Sequence, residues 1–73
     1  MARYSSTTSR RPAYQAEWEG RRVEWTVNAT LLSGLVLEAG KHRDSEGEYI
    51  SLRVARDDGF LEIGLDTRWV TRL

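Results

Sequence analysis

From Ala13 onward, apolar residues recur at every second position, and this period of two constrains the chain more than any other feature. Tyr14, Ala16 and Trp18 alternate with Gln15, Glu17 and Glu19. Val23, Trp25, Val27, Ala29 and Leu31 follow in the same rhythm, then Leu35, Leu37 and Ala39, Ile50, Leu52 and Val54, and Leu61, Ile63 and Leu65. A pattern of this kind marks strands with one buried face. Directly opposed residues must share a face, so each loop must also have the right parity. Pairing Trp18 with Val23 leaves Gly20-Arg21 as a two-residue turn. Pairing Leu31 with Leu35 leaves Leu32-Ser33-Gly34, which ends in the glycine a G1 bulge wants. Ala39 with Ile50 leaves the polar loop from His42 to Gly47, and Val54 with Leu61 leaves Arg56-Asp57-Asp58-Gly59. The same register sets Glu19 against Arg22, Lys41 against Glu48 and Arg53 against Glu62, with Glu17 facing Glu24 as a like-charge exception. The expectation is a five-stranded antiparallel meander with strands at 13–19, 22–32, 35–41, 48–56 and 59–66.

A sheet with one apolar face must cover it. No long helix is evident in this pattern, so the sheet is expected to curl into a small, partly open barrel of the SH3-like or OB-like kind. Asp66 can cap a short C-terminal helical turn, with Trp69 and Val70 plugging one end. One rival remains open, an α+β arrangement with a helix at 28–39. Asn28 would cap it, Leu31, Leu32, Leu35 and Val36 would form its stripe, and Gly40 would end it. Gly34 in its middle costs about 1 kcal/mol.

The chain has 73 residues, no cysteine and the single histidine His42, which rules out disulfides and a Cys/His zinc site. Basic and acidic residues number 11 each. Residues 1–12 carry Arg3, Arg10 and Arg11 and no acid, are otherwise small and polar, and end at Pro12, which reads as a disordered basic tail. Residues 13–73 then form a single mildly acidic β domain. All basic residues but Lys41 are arginine, which suits bidentate contacts at an interface but equally reflects a GC-rich coding sequence. The first residues lack an apolar signal core and no apolar run approaches the ~20 residues of a membrane span. The expected compartment is the cytoplasm, and the Asn28-Ala29-Thr30 sequon reads as a chance match.

Candidates for chemistry are few. His42 sits in a polar loop beside Arg43 and Asp44. Asp57-Asp58 occupies a tight turn that favours Asp for backbone reasons. Glu17 and Glu24 are two carboxylates on an open sheet face, with no cleft to house a substrate. No phosphate-binding glycine motif or nucleophile–base set is present, so neither an enzyme nor a cofactor is expected. Binding is the remaining class. Leu32, Val36, Tyr49 and Phe60 fall outward in this register and Arg53 lies opposite Val36, so Val36, Tyr49, Arg53 and Phe60 form a candidate partner-binding surface, with Arg10 and Arg11 added by the tail. Tyr49 and Phe60 serve equally well as covers for the barrel ends.

In its length, its arginine-rich and lysine-poor usage, the Ser5-Ser6-Thr7-Thr8-Ser9-Arg10-Arg11 tail and its tryptophan-rich sheet, the whole chain resembles the small proteins that phages make to seize host machinery. Those include inhibitors of bacterial RNA polymerase and anti-CRISPR proteins. The resemblance implies a monomeric, non-enzymatic regulator in the host cytoplasm that binds host RNA polymerase and alters transcription, and it carries no motif that assigns a residue. An anti-CRISPR-type inhibitor, a single-strand nucleic-acid-binding barrel using Tyr4, Arg10 and Arg11, and a virion assembly subunit are the alternatives.

Overall fold

A five-stranded antiparallel sheet accounts for most of the protein. The computed structural model describes residues 11–73, so Met1–Arg10 of the expected tail lie outside the described residues. A short helix α1 (Ala13–Trp18) leads into β1 (Arg22–Val27), β2 (Thr30–Asp44), β3 (Gly47–Arg56) and β4 (Leu61–Asp66). A single 3-10 turn (Thr67–Trp69) then feeds β5 (Thr71–Arg72). The strands lie in the order β4-β3-β2-β1-β5, so the meander returns its last strand beside its first and leaves β4 and β5 as separate edges. The expected mainly β, five-stranded antiparallel architecture holds, and the sheet stays open rather than closing. The rival helix at 28–39 does not form. No helix among the described residues is long and apolar enough to cross a membrane.

The five strands are not the five expected. Residues 13–19, read as the first strand, form α1. Tyr14 and Trp18 share a face at a spacing of four just as they do at a spacing of two, so a short alternation does not separate helix from strand. Pro12 decides the case. Its fixed φ of −56° suits a helix entry, and its carbonyl accepts from the Gln15 and Ala16 amides at 3.1 and 3.3 Å. The expected strand 22–32 breaks at Asn28-Ala29, where both residues adopt positive φ, 50° and 66°. That is the geometry of a two-residue type I′ hairpin turn, whose twist matches the flanking strands. Asn tolerates it and Ala does not, which concealed the turn.

With that turn displaced, the Leu32-Ser33-Gly34 segment lies inside β2 and not in a loop. Gly34 serves close packing. A Cβ there would meet the Ala55 carbonyl oxygen and would lie 2.7 Å from Val54 Cγ1. The β2–β3 connection shrinks to Ser45-Glu46, where the Asp44 side chain accepts from the Glu46 amide at 2.9 Å. The register moves accordingly. Ala39 faces Leu52 rather than Ile50, and Leu61 faces Ala55 rather than Val54. Bulges interrupt β2 between Val36 and Glu38, and β4 between Glu62 and Leu65 opposite the Leu52–Val54 step of β3. Each inserts one residue and reverses the phase of the alternation.

The core is consequently Val23, Trp25, Val36, Ala39, Leu52 and Val54, covered by Tyr14 and Trp18 of α1 and by Leu32, Ile50, Leu65 and Val70. Val36 is 1% exposed, and Leu32 packs against the core, so both expected outward residues point inward. Leu31, Leu35, Leu37, Leu61 and Ile63, expected inside, are exposed. Beyond Leu35, α1 and its exit take over from β1 as the neighbour of β2. Gly20 and Arg21 exchange backbone bonds with Val36 at 2.9 Å, and Glu19 Oε2 accepts from the Ala39 amide at 3.1 Å. Asp66 caps the 3-10 turn as expected, accepting from the Arg68 amide at 2.9 Å. Val70 reaches the core. Trp69 does not plug it and lies exposed.

Two substitutions test this account. Ala29→Gly relieves a left-handed alanine and should stabilise the fold by about 1 kcal/mol, seen as a rise in Tm of roughly 4–8 °C. Gly34→Ala should destabilise it by about 3 kcal/mol or more, because the added methyl meets backbone atoms of β3 that cannot move away. Thermal melts followed by circular dichroism measure both.

Candidate binding surface

The centre of the sheet's inner face is committed to the core, whereas the apolar residues of its outer face are not. The strand pairings define that face. Arg22 lies opposite Leu35, Leu35 opposite Ala55, and Ala55 opposite Leu61. The Leu73 amide donates to the Arg22 carbonyl at 2.9 Å, which carries the row to the β5 side. Leu35-Ala55-Leu61 is therefore an apolar row across three adjacent strands, with Leu35 39% and Leu61 51% exposed.

Charged groups border the row. On one side Arg22 Nη1 donates to Asp57 Oδ1 at 2.9 Å, and Ser33 Oγ donates to Asp57 Oδ2 at 2.6 Å. These bonds, led by the one from Arg22, pull the Asp57 carboxyl down to about 2. On the other side lies the cross-strand pair Glu38 and Arg53, which approach only to 3.8 Å. Next comes Gly40 opposite Ser51, then His42 opposite Tyr49. The His42 and Tyr49 rings lie 5.5 Å apart at 32°. Where Gly40 removes a side chain from the middle of this strip, a cleft of about 450 Å³ opens, bounded by Gln15 of α1 at one side and by Ile63 and Gly64 of β4 at the other.

Arg68 holds the far end of the face together. Its guanidinium donates to Asp66 Oδ2 at 2.6 Å and Asp44 Oδ2 at 3.1 Å, and it lies 4.8 Å above the Tyr49 ring. The two carboxylates raise the Arg68 pKa, and they are themselves held below the ordinary carboxylate range, Asp66 chiefly by the Arg68 side chain and Asp44 chiefly by the Glu46 amide.

Of the expected partner-binding residues, the structure brings Tyr49 and Arg53 together on the outer face. Tyr49 is half-buried beneath Arg68, which gives it a bracing role. Arg53 is exposed. Phe60 is also exposed, but beyond the end of β3 and under the Arg56 guanidinium at 5.3 Å, away from the strip. Val36 is in the core. Arg11 Nη1 donates to Glu19 Oε1 at 2.8 Å near α1, and Arg10 lies outside the described residues. The expected charge pairs are likewise redistributed. Glu48 pairs with Arg43 and Glu62 with Arg56, at 3.1 and 3.2 Å, while Lys41 lies over the Tyr14 ring at 5.3 Å.

Leu35, Leu61, Glu38, Gly40, His42 and Ser51 escaped the sequence reading as members of this surface. One signal for it was present. Between Leu31 and Leu37, apolar residues occupy both phases of the alternation, a conflict that a bulge or a two-sided strand resolves.

The Asp57 network gives a pH test. Its folded pKa lies below the unfolded value, so the stability it contributes is complete above pH ~4 and is lost as pH falls toward 2. Thermal melts from pH 5 to 2 should show an acid-induced decrease in Tm that is smaller in Asp57→Asn, whose Tm at pH 7 should already be lower. Comparison of the chain with protein-family models, curated proteins and solved structures finds no match, so a functional reading rests on the chemistry of these residues.

Proposed function

We propose that the protein is a non-catalytic binding module that docks a partner protein on the outer face of its sheet. The observation that supports this reading is the Leu35-Ala55-Leu61 row, apolar surface on the face the core does not use. An apolar centre inside a polar rim is the common anatomy of protein interfaces, and here the rim is supplied by Arg22-Asp57-Ser33 and Glu38-Arg53. Most arginines of the sheet have carboxylate partners within the chain, which leaves little unpaired charge for nucleic acid and favours a protein partner.

The whole-chain resemblance makes bacterial RNA polymerase, in the host cytoplasm, the first partner to try, with the protein as a phage regulator of transcription. Size-exclusion or interferometric binding to purified polymerase, core and holoenzyme, tests it. Leu35→Asp and Leu61→Asp, both on exposed positions, should each weaken binding at least about tenfold, and Val27→Asp at the opposite hairpin tip should not. Equal binding by all four proteins would remove the proposed face. Absence of any polymerase binding, with recovery of a different protein that the two leucine variants fail to bind, would keep the face and replace the partner.

A further inference from the structure

We propose that the cleft over Gly40 is a second site, for a small zwitterion of the amino-acid class. It lies beside the apolar row and does not depend on it. Three observations carry the proposal. The first is convergence. A Cβ at Gly40 would lie 3.3 Å from His42 Nε2 and 4.0 Å from Ser51 Oγ, so both polar atoms approach the same point above the glycine. The second is engagement. Among the described residues, the side chains of Gln15, Glu38, His42, Ser51 and Arg53 make no hydrogen bond, although the charged groups around them at Asp57, Glu48, Asp66 and Arg68 are all bonded. The third is charge. Glu38 and Arg53 face each other across the strands at 3.8 Å, too far for a hydrogen bond, and both are more than a third exposed.

These features select the ligand. A lone anion would meet Glu38 and a lone cation would meet Arg53, so either pays a like-charge penalty. A small molecule carrying both signs, an ammonium and a carboxylate on one carbon, replaces one loose pair with two close ones. Its carboxylate sits above Gly40, accepting from Ser51 Oγ and the Arg53 guanidinium. Its ammonium donates to Glu38. The His42 ring at one end and Ile63 at the other, 68% exposed, offer walls to a flat apolar side chain. The volume of about 450 Å³ falls within the range of small-ligand clefts.

Titration of 15N-labelled full-length protein with L-phenylalanine, followed by 1H–15N NMR, tests the site. The expected result is saturable shifts of the Gly40, Ser51 and Gly64 amides. N-acetylphenylalanine and phenylalanine amide each lack one charge and should bind at least about tenfold more weakly. Arg53→Gln and Glu38→Gln, both surface changes, should weaken phenylalanine by a similar factor, and Gly40→Val, which fills the floor, should abolish the shifts while the remaining spectrum stays folded. No saturable shift up to roughly 20 mM, equal binding of the two singly charged analogues, or unchanged binding by Arg53→Gln would each overturn it.

Discussion

The close approach of β2 to β3 at Gly34 is the contact on which the rest of the structure depends. β2 is the one strand that pairs along most of the sheet, with β1 through Thr30–Leu35 and with β3 through Gly34–Asp44. At the overlap its backbone comes close enough to β3 that no Cβ fits. Val23, Gly34 and Arg56 share one rank of the inner face there, and the neighbouring Val36 and Val54 are almost wholly buried. A chain this small buries only ~60% of the surface its unfolded form exposes. Among the described residues six buried hydrophobic side chains therefore carry the core, and their alignment needs this one glycine.

The bulges are the second constraint, and they connect the fold to the surface. In a strand of strict alternation, Leu35, Leu37 and Ala39 would share a face. The extra residue near Leu37 sends Val36 and Ala39 inward together and leaves Leu35 and Leu37 outside. The shift between Leu52 and Val54, with Gly64 at a φ of 77°, does the same on the other side, placing Leu65 inside and Leu61 and Ile63 outside. Apolar residues thus stand on the outer face because the inner face accepts only one phase at a time. Bulges also bend strands, and the cleft over Gly40 lies beside both of them. The binding surface and the core are two products of one irregularity.

Electrostatics then stiffen the periphery. Arg22, Arg56, Arg68 and Arg72 each reach a carboxylate on a different element or turn. Exposed pairs of this kind contribute little individually. Their effect here is positional. Arg68 ties the 3-10 turn to the tip of the β2–β3 hairpin over Tyr49, and Arg72 stacks on Trp18 while bonding Glu17, joining the two ends of the described chain. Among the described residues, Arg53 and Glu38 stand outside these networks and pair only with each other, loosely, at 3.8 Å.

The period of two, the turn chemistry of Asp57-Asp58-Gly59 and the Asp66 cap determined, from sequence alone, that the chain would be an antiparallel β protein ending in a short helical turn. They also marked Val23, Trp25, Leu52 and Val54 as core, because local alternation needs no knowledge of distant partners. Tertiary structure alone decided the rest. Tyr14 and Trp18 share a face in helix or strand, so only packing against β2 distinguishes the two. Ala29 carries no turn signal, so only the pairing of β1 with β2 forces it to a positive φ. The side of the sheet on which Leu35, Val36 and Leu61 fall depends on bulges, and a single inserted residue reverses every side chain beyond it. The outer face, and with it each candidate site, was therefore beyond the reach of periodicity and became visible only once the strands were paired.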